Sequence, residues 1–377
     1  MKHLLLIFAS LFSTLTAAEQ ALPLPPPPPV AARAYLLADF PSGRLLVQQG
    51  VNDRIEPASL TKLMTAYLTF TALKQGRIKM DQALPVSTRA WKTEGSRMFI
   101  EPNRPVTVLE LIQGMIIQSG NDACIALAEG VAGSEEVFSQ MMNQQAARLG
   151  MKNTHYMNST GLPHPQHYTT AYDLSLLAAA IIRDFPEYYK FYSMKEYRYN
   201  NITQPNRNRL LWLDPSVDGM KTGHTESAGF CLIATAKREP MRLISVVLGT
   251  ASDNVRATES QKLLNYGFQF FESNRVYAKT QTVSTLPVWK GKEKTLKAGV
   301  SQDLMVTLPK GYYSRVKATV TSKQPLFAPI SAGQAVGNIQ LTLDDKPLAD
   351  YPLVALENVP VGNIFGRALD TVKLWFK

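Results

Sequence analysis

Apolar and polar positions alternate along this chain with two different periods. Leu60, Leu63, Met64, Tyr67 and Leu68 recur at helical spacing, Pro57 suits a helix start, and Gly76 follows the last turn. That pattern predicts a buried helix from residue 59 to about 73. Upstream, residues 34–38 and 44–48 flank Asp39-Phe40-Pro41-Ser42-Gly43 and read as a β-hairpin. Residues 107–118 and 122–131 form two further amphipathic stretches, so Ser119-Gly120 falls on a helix-to-helix turn, and residues 172–183 give another helix that stops before Pro186. Residues 217–222, 229–236 and 242–249 are strand-like, and a last helix over 259–271 closes this region.

Beyond about residue 275 the texture changes to short β-rich pieces, 282–289, 303–308, 316–321, 336–343 and 353–356. Turn residues such as Pro309-Lys310-Gly311 and Asp344-Asp345 separate them, which predicts a small all-β domain. The tail again has a helical period: Phe365, Leu369, Val372 and Phe376 share one face, with Arg367, Asp370 and Lys377 elsewhere. It is too short to span a bilayer, but its apolar stripe and basic ends suit a helix lying in a membrane interface. At the other terminus, Lys2, an apolar run over 4–15 and Thr16-Ala17-Ala18 have the layout of a signal peptide cleaved near Ala18. A proline tract follows at Pro23 and 25–29; it reads as an extended spacer that cannot join a core. The expected organisation is therefore a signal peptide (1–18), a proline-rich linker (19–33), a main domain (34–273), a β domain (274–361) and an anchor helix (362–377).

With 377 residues and 45% hydrophobic composition the chain can build more than one core. Forty Lys+Arg against thirty Asp+Glu give a net charge of +10 without a dense basic block, which fits an anionic surface and argues against nucleic acid as a partner. Two cysteines, Cys124 and Cys231, are too few for a disulfide framework, and both sit in apolar runs that predict buried free thiols.

The candidate chemistry begins at Ser59-Leu60-Thr61-Lys62. Residues i and i+3 of a helix share a face, so the Ser59 hydroxyl and the Lys62 amine come within hydrogen-bond reach. A serine is a poor nucleophile until its proton is taken, and a lysine takes it only where burial or a second cation keeps the amine neutral. Two further short motifs follow in order, Ser119-Gly120-Asn121 on the turn and Lys221-Thr222-Gly223 in a strand. In this set Ser119 can relay a proton to a leaving amine, Asn121 can bond the base and a substrate amide, and Lys221 can hold Lys62 neutral. Thr222 and Lys221 suit a substrate carboxylate, and Gly223 bares a strand edge along which an extended peptide can add. Ser314 with Lys317 repeats the first spacing in the β region and reads as a surface pattern. Ser252-Asp253-Asn254 repeats the second, out of order, and reads as an Asx turn in a loop. His155, His164 and His167 lie among turn residues, Lys and Arg, and read as surface histidines with no metal.

The three motifs in this order resemble those of serine β-lactamases and penicillin-binding proteins. Longer runs sharpen the resemblance to the low-molecular-mass penicillin-binding proteins, serine-type D-alanyl-D-alanine carboxypeptidases: Glu56-Pro57-Ala58-Ser59-Leu60-Thr61-Lys62-Leu63-Met64-Thr65, Ser119-Gly120-Asn121-Asp122-Ala123-Cys124, Asn206-Arg207-Asn208 with Leu211-Trp212, and Val217-Asp218-Gly219-Met220-Lys221-Thr222-Gly223-His224-Thr225. The resemblance implies an α/β (α+β) β-lactamase/transpeptidase-like catalytic domain, a small C-terminal all-β domain and an amphipathic anchor. It implies Ser59, Lys62 and Ser119 as catalytic residues, and Asn121, Lys221, Thr222, Gly223, His224 and Arg256 as substrate-binding residues. Backbone N–H groups of Ser59 and His224 would form the oxyanion hole, and Arg256, just before the last helix, would bind the carboxylate. Its expected partners are the peptidoglycan pentapeptide, β-lactams and the periplasmic face of the inner membrane; it implies no cofactor. A class A β-lactamase is the enzymatic alternative, but the Glu-x-x-Leu-Asn run that would activate its water does not occur between Asn121 and Lys221. A non-catalytic wall-binding protein is the other alternative, and its expected mark, loss of Ser59, Lys62 or Lys221, is not found.

Overall fold

The computed structural model describes residues 24–375; the expected signal peptide, and the tail residues Phe376 and Lys377, lie outside them. The first hairpin forms as read, from β1 (Ala34–Asp39) and β2 (Leu45–Gln49). It joins β3 (Val217–Thr225), β4 (Gly229–Arg238) and β5 (Met241–Thr250) in one antiparallel sheet of order β2-β1-β5-β4-β3. Every β1 residue is buried because both faces of the sheet are covered. Alternate residues serve opposite cores: Leu36, Val246 and Ile233 pack with the helical layer on one side, and Leu37, Val247 and Leu232 with Leu263 and Leu264 on the other.

The helical layer is built on α1 (Lys62–Lys74), which is buried nearly all round. Around it stand α2 (Val108–Gln113), α3 (Asn121–Ala132), α4 (Glu135–Arg148) and α5 (Ala171–Asp184). The α4 helix escaped the sequence reading, although Ser134 caps it and two glutamates fill its first turn. The far face carries α6 (Asp253–Phe270). This helix begins six residues before the expected start at Glu259, because Ser252 is its N-cap, accepting from the Val255 amide. The Asx-turn reading of Ser252-Asp253-Asn254 is thereby corrected, and Arg256 lies in the first turn of the helix and not ahead of it.

After α6 the chain enters the β region through β6 (Phe271–Tyr277). Next come β7 (Thr282–Trp289), β8 (Thr295–Gly299), β9 (Leu304–Pro309), β10 (Val316–Ser322), β11 (Leu326–Phe327), β12 (Ala335–Leu343) and β13 (Lys346–Ala355). Six of them form a sheet of order β10-β12-β13-β8-β7-β11, while β6 pairs with β9. Their inward residues, Leu296, Val336, Ile339 and Leu353 among them, make a separate core. Ser314 and Lys317 are exposed there, and Lys317 pairs with Asp345, so this Ser-x-x-Lys is a surface pattern. The tail forms α7 (Ile364–Trp375).

Two expectations are corrected on packing grounds. The described part of the expected spacer does join a core: Val30 and Ala32 pack against it and the Pro25 carbonyl accepts from Tyr266 at 2.8 Å, so residues 25–32 are strapped to α6 and are no free spacer. His167 is buried, not on the surface: its Nε2 meets Thr61 Oγ1 at 2.9 Å, and burial lowers its pKa to about 4. Cys124 and Cys231 are both free and buried.

The main domain and the β domain meet at Asp39, a fully buried carboxylate. It accepts from Ser42 N and Oγ (3.0 and 2.7 Å), Ser273 Oγ (2.7 Å) and Thr307 Oγ1 (2.6 Å), and so ties β1 to β6 and β9. Replacement by alanine strands these donors. Asp39→Ala should lower the unfolding free energy by about 3 kcal/mol in a urea titration; an unchanged midpoint would show that the hydroxyls satisfy one another.

Candidate active site

Ser59 lies on a 3-10 turn, Ala58–Thr61, that runs directly into α1. In a 3-10 turn side chains three apart eclipse, which sets the Lys62 amine directly against the serine. Lys62 Nζ is 2.9 Å from Ser59 Oγ, 2.7 Å from Asn121 Oδ1 and 2.6 Å from the Thr160 carbonyl oxygen. The Asn121 amide is oriented by its own Nδ2, which donates to the Glu94 carbonyl at 2.6 Å, so Oδ1 must face the lysine. Burial, above all, lowers the Lys62 pKa to about 8, and the charge of Arg207 adds to the shift. Arg207 was the unrecognised cation here. Lys221, which the sequence offered for this role, interacts electrostatically with Lys62 as well.

The Thr160 carbonyl was also missed, since a backbone acceptor leaves no residue-type signal. Its loop is tightly fastened: Asn158 Oδ1 accepts from the Thr160 and Gly161 amides, Thr65 donates to the Ser159 carbonyl at 2.6 Å, and Ser159 donates to Glu135 through N (2.9 Å) and Oγ (2.6 Å). Gly161 has φ +88°, and a Cβ there would lie 1.8 Å from the Ala58 carbonyl oxygen. Only glycine lets this loop press on the back of the serine turn.

Ser119 follows a single π-turn, Gly114–Gln118, and adopts a left-handed conformation with φ 67°. Such strain in a non-glycine residue persists only where the surroundings enforce it. Here the Gly120 amide donates to the Gly114 carbonyl, and Asp122 accepts from the Met98, Phe99 and Ile100 amides, locking the adjacent loop. Lys221 Nζ is 3.0 Å from Ser119 Oγ and 3.0 Å from the Thr222 carbonyl. Burial first, and then the Lys62 charge, push Lys221 well below the usual lysine range. Lys221 thus backs Ser119 and does not form the cavity wall.

The wall belongs to β3, an edge strand of the main sheet, whose open side flanks Ser59. Thr222, Gly223 and His224 line an open cavity of about 590 Å³ together with Ser59, Ser119 and Arg207. The reason for Gly223 is close packing: a Cβ would lie 3.2 Å from both Leu60 Cγ and the Pro57 carbonyl oxygen. It lets the strand touch the nucleophile's turn, which is a different role from the bared edge expected of it. Arg256 borders the same cavity, but its N–H groups are directed at the Gly223 carbonyl (3.1 Å), the Cys231 carbonyl (3.4 Å) and Asp253.

A serine beside a neutral-tending buried lysine, a second serine–lysine pair and an open strand edge together define an acyl-transferring serine enzyme of the penicillin-binding-protein fold. The chain belongs to the D-alanyl-D-alanine carboxypeptidase family, which it matches over residues 20–252, and residues 271–361 match the C-terminal domain of penicillin-binding protein 5. It is 44% identical to the D-alanyl-D-alanine carboxypeptidase DacC of Escherichia coli over 98% of this chain and 94% of that protein. Penicillin-binding protein 5 from Haemophilus influenzae has the same fold, with a TM-score of 0.85 at 41% identity over 89% of this chain and 99% of that one. The ampicillin-bound penicillin-binding protein D2 of Listeria monocytogenes is similar over 65% of this chain and all of its own, with a TM-score of 0.60 and 30% identity.

The Gly161 contact gives a direct test of the serine's support. Gly161→Ala must displace the Ser59 turn or the Thr160 carbonyl, and a shift of about 1 Å should slow acylation by benzylpenicillin roughly a hundredfold. Stopped-flow acylation at the wild-type rate would contradict this role for the loop.

Proposed function

We propose that the protein removes the terminal D-alanine from peptidoglycan stem pentapeptides through an acyl-enzyme on Ser59. The observation that carries this reading is the hydrogen-bond count at Lys62. A neutral amine has two N–H bonds and one lone pair. Asn121 Oδ1 and the Thr160 oxygen can only accept, so they take both N–H bonds, and the lone pair is left for the Ser59 proton.

As Ser59 Oγ bonds to the penultimate D-alanine carbonyl, its proton passes to Lys62 Nζ. The oxyanion forms beside the Ser59 and His224 amides. Ser119 then gives its proton to the departing amine nitrogen as the C–N bond breaks and is reprotonated by the proton that Lys62 took from Ser59, which leaves Lys62 neutral again; Lys221, hydrogen-bonded to Ser119, holds that hydroxyl in place. Thr222 supplies a hydroxyl and Arg207 a cation for the terminal carboxylate, and Arg256, its N–H groups engaged by the Gly223 and Cys231 carbonyls and by Asp253, adds positive charge at the cavity border. In deacylation a water gives one proton to neutral Lys62 as its oxygen bonds to the ester carbonyl, and Lys62 passes that proton to Ser59 Oγ as the ester C–O bond breaks and the shortened peptide leaves. A β-lactam carries a reactive amide and a carboxylate in the same relation, and it enters the same sequence but leaves its bulk in the site.

The same reading has the chain exported, with residues 1–18 removed, a proline-rich lead-in over 19–33, a catalytic domain over 34–273 and a β domain over 274–361. The anchor, 362–377, holds it peripherally at the periplasmic face of the inner membrane. No helix among the described residues is long and apolar enough to cross a membrane, whereas α7 leaves Ile364, Phe365, Leu369, Val372 and Trp375 exposed.

Purified protein should release D-alanine from a diacetyl-Lys-D-Ala-D-Ala peptide, and benzylpenicillin should add one drug mass to Ser59 that is absent in Ser59→Ala. Failure to gain the mass would overturn the enzymatic reading, and rapid turnover without accumulation would make the protein a lactamase.

A further inference from the structure

Among residues 271–375 the exposed large apolar side chains gather at one corner: Phe327 and Val361 on the β domain, and the five on α7. The corner is knit together by the turn between β7 and β8. Asp370, buried on α7, accepts from the Lys290 amide at 2.6 Å and pairs with Lys294 Nζ at 2.8 Å. The Gly362 amide donates to the Lys290 carbonyl at 2.8 Å, Gly291 bridges to Val361, and Lys290 Nζ stands 5.7 Å from the Phe327 ring centre. Helix, turn and β11 therefore form one surface. The turn carries Lys290, Lys292 and Lys294 against Glu293, and α7 adds Arg367 and Lys373 against the buried Asp370.

We propose that Phe327, Val361 and the lysine turn form a second membrane-contact element, which engages anionic lipid headgroups alongside α7. The proposal rests on the reading of α7 as a membrane helix and extends it to the β domain. Asp370 lies on the side of α7 opposite the centre of the apolar stripe, so the latch turns that stripe outward. An interfacial helix sinks roughly 5–10 Å and is about 10–12 Å across, so groups packed on its rear are carried into the headgroup layer. Lysines in that layer meet lipid phosphates within a Debye length, and Phe327 loses water there.

The test uses the full-length protein, with sedimentation on vesicles of phosphatidylcholine alone and of phosphatidylcholine with phosphatidylglycerol. The native protein should partition better onto the anionic vesicles. Lys292→Glu should weaken that partition roughly fivefold or more while hardly changing the neutral case. Phe327→Ser should weaken both, and each variant should cleave a soluble peptide normally. If both variants bind like the native protein while Phe365→Ser with Trp375→Ser is released, α7 acts alone and the proposal fails. If the native protein binds neither vesicle, the membrane reading of α7 fails with it.

Discussion

Two oxygens that can only accept, Asn121 Oδ1 and the Thr160 carbonyl, converge on one buried amine, and this convergence gives Lys62 its direction. Burial alone would lower the affinity of the amine for its proton without saying where the lone pair points. The two acceptors settle that question by elimination, because Ser59 Oγ is the third neighbour. A lysine with the same burial but one acceptor fewer could turn an N–H toward Ser59 Oγ, and its lone pair would have no fixed direction. It would be a base without an aim.

The surrounding architecture holds those acceptors in place. Asn121 is fixed by Glu94 through its side chain and by Ser96 through its amide, and that loop is gripped in turn by Asp122. Thr160 is held by the loop that Glu135 and Thr65 fasten from two helices. Both acceptor loops therefore depend on the helical layer around α1, while the cavity wall on the far side depends on the sheet. Gly161 and Gly223 are the points where loop and strand touch the Ser59 turn: a Cβ at Gly161 would overlap the Ala58 carbonyl, and one at Gly223 would press tightly on Leu60 and the Pro57 carbonyl.

Much of this was legible from residue type and spacing, and the limits have physical reasons. Ser59 with Lys62, Ser119 and Lys221 could be read because side-chain chemistry marks them. Long periodic elements such as α1, α5 and the three strands 217–249 appeared close to their true bounds. The Thr160 carbonyl could not be read, because any residue supplies a carbonyl. His167 was misplaced because local polarity suggested the surface, whereas tertiary packing buried it under Thr61. The start of α6 was missed because Ser252 and Asp253 suit either a turn or a cap, and only the following helix decides between them. In β13, Pro347 and Pro352 disguise the longer strand that forms, β6 loses its apolar alternation at Glu272-Ser273-Asn274-Arg275, and β8 has only five residues.

The central claim is that Lys62 acts as a neutral base with a pKa near 8, lowered from its usual value by burial. The neutral fraction rises with pH until it levels above that value, so the acylation rate must follow it. The most direct measurement is the second-order rate constant for acylation by benzylpenicillin from pH 5.5 to 10. The account predicts a rise of about tenfold per pH unit below 7, bending to a plateau just above pH 8. A flat profile between pH 6 and 9, or a tenfold rise per unit that continues past pH 9, would contradict it.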